Sequence, residues 1–113
     1  MVNSRRKGKR GELEAAKLWG ELFGCKEMRR SQQYCGRSDE SDDIVGQPGV
    51  AIEVKRVARI NVQRVVARNV DDAAEERVPI VLHRADNQPW LVSLQLEDLP
   101  QLVETLFQTM HGD

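Results

Sequence analysis

The chain has 113 residues, 40% hydrophobic and 31% charged, with a net charge of −1; this is the size and make-up of one domain, residues 1–113. No run approaches the ~20 apolar residues of a membrane span, and no apolar segment follows the basic N-terminus as a secretory signal requires. Aromatics are only 4%, so the core has to come from Val, Leu, Ile and Ala.

Residues 4–23 read as a helix. Asn3 or Ser4 can cap it, Leu13, Ala16, Trp19, Leu22 and Phe23 recur at helical spacing, and Gly24 is a stop. Residues 25–30 are a candidate short strand. Residues 31–42, polar and rich in Ser, Asp and Gly, read as a loop or irregular hairpin. Asp43-Ile44-Val45 then runs through the turn signal Gly46-Gln47-Pro48-Gly49 into Val50–Lys55, a β-hairpin by pattern. Residues 61–76 place Val62, Val65, Val66, Val70, Ala73 and Ala74 on one helical face. Val78–His83 is a buried strand, Asp86-Asn87-Gln88-Pro89 a turn, and Trp90–Leu94 the partner strand. Residues 96–110 form a last amphipathic helix, with Pro100 near its start. The order α-β-β-β-α-β-β-α in so short a chain implies an α/β fold, one mixed sheet flanked by helices.

The net charge hides a division. Residues 1–37 carry ten Lys/Arg and four Asp/Glu, while residues 38–113 carry seven and fourteen. A basic third can bind a polyanion, and the alternative is a solvated tail. Cys25 and Cys35 are the only cysteines, with no CxxC and no His pair nearby. No zinc site is expected, and a reduced intracellular protein is the simplest reading, with a single disulfide left open.

Strand alternation sets Glu53 and Lys55 on one face of their strand and Ile52 and Val54 on the other. Such a pair alone is ordinarily a surface ion pair worth ~0–1 kcal/mol. Asp43 changes the reading. With Gln47, Pro48 and Gly49 as the loop, Gly46 faces Val50 and Asp43 faces Glu53 across the hairpin. Like charges so placed destabilise unless compensated, and a divalent cation compensates them. Asp42, one residue off, points to the opposite face and is the competing assignment. Glu12 heads an apolar stripe of Ala15, Ala16, Trp19 and Phe23, which turns it toward the sheet; the alternative is a first-turn Glu favoured by the helix dipole. Basic residues surround these acids, and residues 54–70 hold five bases and no acid. Acids that hold a metal, ringed by bases that hold phosphate, describe a phosphodiester hydrolase.

The sequence resembles the PD-(D/E)xK nuclease superfamily, and within it the archaeal-type Holliday junction resolvases and their phage relatives. The resemblance spans roughly residues 5–107. It is carried by Lys7-Gly8 with Glu12, by Arg29-Arg30-Ser31-Gln32-Gln33-Tyr34-Cys35-Gly36, by Asp42-Asp43-Ile44-Val45-Gly46, and by Ile52-Glu53-Val54-Lys55-Arg56. Val81-Leu82-His83-Arg84 and Pro89-Trp90-Leu91-Val92 look like the phage branch. The resemblance implies a restriction-endonuclease-like αβββαβ core and a homodimer that nicks branched DNA. It implies Mg²⁺, with Mn²⁺ able to substitute. Catalytic roles carry over onto Glu12, Asp43, Glu53 and Lys55, and metal ligation onto Asp43, Glu53, Glu12 and the Val54 carbonyl. Phosphate contacts fall to Arg5, Arg6, Lys7, Lys9, Arg10, Arg29, Arg30 and Arg56. A cytoplasmic location in a bacterial or phage-infected cell goes with this. The chain departs from the family at Leu13, where archaeal members often have Arg, and at Arg68, near which phage relatives often have Gln. Two other readings stand beside it: a nuclease of the same fold acting on flaps or duplex DNA, and a catalytically silent DNA-binding module.

Overall fold

The first element, α1 (Ser4–Phe23), buries Ala15, Ala16 and Trp19, with Phe23 packed alongside. The stripe that starts at Glu12 therefore faces the sheet. Leu13 and Leu22, expected on the same face, are turned outward. Gly24 ends the helix with φ +73, a left-handed conformation that glycine adopts without penalty. In this computed structural model the described residues are 4–31, 43–74 and 76–112, with side chains described from residue 8. Most of the expected 31–42 loop, Asp42 and Cys35 included, lies outside them, as do the side chains of Arg5, Arg6 and Lys7.

Five strands form one mixed sheet in the order β1-β2-β3-β4-β5. They are β1 (Arg29–Arg30), β2 (Ile44–Val45), β3 (Val50–Arg56), β4 (Val78–Arg84) and β5 (Leu91–Ser93). Only β3 and β4 run parallel, joined by α2 (Val62–Asp72); the other neighbours are antiparallel. Ile44 pairs with Ile52, the register that a Gln47-Pro48-Gly49 loop requires. Gly46 at φ +119 lies so close to Glu27 that a Cβ would sit 2.4 Å from its carbonyl oxygen. Glycine thus lets the hairpin pass against the segment before β1.

Strand alternation divides the sheet into two faces. Ile52, Val54, Ile80 and Leu82 join α1 and Leu102 of α3 (Leu99–His111) in the main core. Ala51 and Val81, buried but outside that cluster, face α2. The valine-rich face of α2 is shallower than its periodicity suggests. It ends at Asp72 rather than continuing to 76, and its buried residues are Val66 and Asn69. Asn69 donates to the Ile80 carbonyl at 2.8 Å and so ties the helix to the sheet backbone. The last helix is split: a 3₁₀ turn (Leu96–Asp98) precedes α3, because Pro100 lacks an N–H and its fixed φ suits the first helical turn.

Gln47 is a turn residue in the sequence and a buried hub in the structure, 3% exposed. Its Oε1 accepts from Trp19 Nε1 at 2.9 Å and from the Cys25 thiol at 3.0 Å. Its Nε2 donates to Thr109 Oγ1 at 2.8 Å and to the Pro48 carbonyl. One side chain thus fastens the hairpin to α1 and α3. Gln47→Ala strands the buried Trp19 indole N–H and cuts the tie to Thr109, and should cost about 2 kcal/mol. Urea denaturation measures this; an unchanged midpoint would show the network to be dispensable.

Candidate active site

Asp43 is the centre of the acidic group. It stands just before β2, its N–H donating to the Ile52 carbonyl at 2.9 Å. Its carboxylate does not simply project opposite Glu53: Oδ2 accepts from the Val54 N–H at 2.8 Å. The side chain thus folds back onto the β3 backbone, taking an acceptor position that a longer β2 would have filled with a carbonyl. Burial is the main reason that its carboxyl rises to about 6. The Val54 N–H works against the rise, the Glu12 and Glu53 charges add to it, and Lys55 opposes it. The structure therefore brings Glu12, Glu53 and Lys55 within electrostatic reach of Asp43.

Each neighbour has its own support. Glu53 and Lys55 share the face of β3 opposite the main core, with Lys55 Nζ 3.7 Å from Glu53 Oε2. The Glu53 side chain is largely buried and that of Lys55 half-buried. Val54 turns its side chain into the core and its N–H to Asp43. Glu12 does not stand free: Arg30 Nε donates to its Oε1 at 2.8 Å. This ion pair joins α1 to β1 beside the acids.

The basic residues separate into two kinds. Lys9, Arg10 and Arg29 are exposed, which suits a phosphate surface. Arg30 is engaged with Glu12. Arg56 is turned inward: Gly11 lies against its side chain, and its guanidinium pairs with Asp86 at 3.1 Å. In the β3–β4 ladder Arg56 lies beside Arg84. This crowding of like charges gives each a carboxylate of its own, and Arg56 is a packing residue more than an open phosphate contact.

Sequence reasoning missed several residues near the site. His83 is the ladder neighbour of Lys55. It is buried, its Nε2 lies 2.7 Å from Ser93 Oγ, and burial holds its pKa down, which favours the neutral ring beside Lys55. Glu14 receives both the Arg84 guanidinium and Trp90 Nε1, the latter at 2.7 Å, and Arg84 lies over the Trp90 ring. Their separation in sequence left no local signal for either arrangement.

The donor set fits a hard divalent cation. Every candidate ligand is an oxygen, and the three carboxylates carry more negative charge than Arg30 and Lys55 offset, which such a cation relieves. Among the described residues no three of His, Cys, Asp and Glu gather closely enough to hold a metal. The fit accordingly rests on Asp43 and Glu53, in keeping with the one or two carboxylates that Mg²⁺ usually takes. Compared with protein families, with curated proteins and with solved structures, the chain matches none.

The Asp43 carboxyl sits above the ordinary value of 3.8, so the native state binds its proton more tightly than the unfolded chain. The stability that this proton supports is complete below about 3.8 and is lost as pH rises through about 6. Asp43→Asn keeps an acceptor for the Val54 N–H and removes the charge. It should raise the stability of the metal-free protein by about 1–2 kcal/mol at pH 7.5, with no gain at pH 3.5. Denaturant melts at the two pH values measure this; an equal effect at both would sink the account.

Proposed function

We propose that this chain is a metal-dependent endonuclease that nicks four-way (Holliday) DNA junctions by phosphodiester hydrolysis, acting as a homodimer. The observation that carries the reading is the half-buried Asp43 carboxylate, raised to about 6 beside Glu12 and Glu53, with Lys55 on the adjoining strand. Like charges gathered in a half-buried place, with a carboxyl shifted by burial and by its neighbours, are a signal of a functional site. The exposed Lys9, Arg10 and Arg29 supply the complementary requirement, a surface for DNA phosphates.

Roles follow from position. The carboxylates of Asp43 and Glu53, with the Val54 carbonyl, are the oxygens that would hold Mg²⁺, or Mn²⁺ in its place. Held there, such an ion would supply Lewis acidity toward water and positive charge toward the scissile phosphate. The Lys55 ammonium, anchored by Glu53, stabilises the negative charge that builds on phosphorus-bound oxygens as water attacks. Burial of His83 disfavours a second positive charge next to that ammonium. Lys9, Arg10 and Arg29 hold flanking phosphates, and Arg5, Arg6 and Lys7 continue the same basic helix. The setting that goes with such a substrate is the cytoplasm of a bacterial or phage-infected cell; no helix among the described residues is long and apolar enough to cross a membrane.

The test is cleavage of a synthetic four-way junction beside matched linear duplex, with Mg²⁺ and with EDTA. The wild-type chain should cut the junction, need the metal, and leave the duplex intact. Glu53→Gln should lose at least about a hundredfold in rate while still binding the junction. Equal cutting of both substrates would assign the chain to general duplex cleavage, and binding without cutting to a silent DNA-binding module.

A dimer is supported by the outward side of α3. Leu99, Val103 and Met110 are exposed on it at helical spacing, as is Leu96 in the turn before it, an apolar stripe free of charge. Such a stripe on a second copy closes the contact across a twofold axis, which two symmetric nicks require. Val103→Glu should convert the dimer to monomer in sedimentation equilibrium without loss of helical circular dichroism. A dimer that survives this change uses another face.

A further inference from the structure

The Arg30–Glu12 pair has an unequal geometry. The Glu12 side chain is 21% exposed and that of Arg30 is 37% exposed, so an incoming anion reaches the cation more easily. Arg30 is fixed at its backbone: it pairs with Ile44 across β1 and β2, and the next residue, Ser31, donates its N–H to the Asp43 carbonyl at 2.9 Å. Any exchange of partners therefore occurs by rotation of the side chain alone. Glu12 is close enough to Asp43 to raise its pKa, yet one of its oxygens is engaged by Arg30. Arg29, beside Arg30 on the same strand, is exposed. Two anions thus compete for one guanidinium: the Glu12 carboxylate, and a DNA phosphate, whose oxygens match the planar donor fork.

We propose that Arg30 is the positioning residue through which bound DNA prepares the acid cluster: it holds Glu12 when DNA is absent, and a phosphate takes over its guanidinium and releases Glu12 toward Asp43 and Glu53. This rests on the nuclease reading above and adds the regulation of that site. Charge is conserved in the exchange. The positive charge of Arg30 neutralises Glu12 in one state and phosphate in the other, and the released carboxylate adds to the negative charge available to a divalent cation. The coupling is reciprocal by thermodynamic linkage, so junction DNA and the cation strengthen each other's binding through Arg30.

Mn²⁺ binding, followed by electron paramagnetic resonance, tests this on the full chain carrying Lys55→Ala, which leaves the acids in place and the DNA uncut. Saturating four-way junction should tighten Mn²⁺ binding about fivefold. Adding Arg30→Ala should give that tightening without DNA, and the junction should add nothing more. Adding Glu12→Gln instead should abolish the enhancement by DNA. Arg30→Lys should restore part of the coupling. An Arg30→Ala chain that binds Mn²⁺ no better than its parent without DNA overturns the exchange. So does a Glu12→Gln chain that keeps the enhancement, a readout that needs no Arg30 variant. If the coupling is present but the chain with Lys55 intact cuts no DNA, the nuclease reading fails and the exchange stands. If the chain cuts junctions and Arg30→Ala leaves Mn²⁺ binding unaltered, the exchange alone fails. No Mn²⁺ binding in any arm overturns both.

Discussion

A β-strand has two faces, and β3 is required to serve opposite purposes with them. Ile52 and Val54 lie in the main core beneath α1 and α3, while Glu53 and Lys55, their immediate neighbours, carry charge on the other side. Because β3 is the middle strand, paired along its length with β4 and at one end with β2, its backbone has little freedom. The charged side chains inherit that rigidity. Their spacing is set by the strand repeat rather than by their own preferences, so the repulsion among the acids cannot be relieved by the backbone drifting apart.

The same constraint explains why Asp43 behaves as it does. It sits where β2 gives out, beside a β3 backbone N–H that needs an acceptor. Its carboxylate fills that need and is drawn in from water as a result. A hydrogen bond and a desolvation penalty therefore arrive together. Arg30 and Lys55 offset part of the charge without removing it, one through Glu12 and one through Glu53.

Much of the architecture was legible because it is local. The twenty-residue α1 declares itself through its apolar spacing and Gly24. The hairpin register follows from the turn residues, and the interleaving of elements allowed only a mixed sheet. The alternation that assigned Ile52 and Val54 inward and Glu53 and Lys55 outward needed only a period of two. What the sequence did not reveal depends on distant partners. Gln47 reads as turn filler, and its importance comes from Trp19 and Thr109. Asn69 reads as a polar interruption of a valine face until its bond to the Ile80 carbonyl is seen. The engagement of Glu12 by Arg30 and the inward turn of Arg56 are likewise set by packing across elements. The strand expected over 25–30 shrank to Arg29–Arg30 because only these two residues find partners on β2.

The Gln47 hub bears on how the chain assembles. Its partners Trp19 and Thr109 lie 28 and 62 residues away in sequence, on helices at opposite ends of the chain. Contacts of that span carry a large loop-closure entropy and form late, after local structure has brought their elements close. The tip of the central hairpin is therefore locked only when both terminal helices have docked, and until then its buried amide has water as its partner. The hairpin that bears Asp43 and Glu53 is thus held at its tip by both ends of the chain, so undocking either terminal helix loosens the element on which those two acids stand.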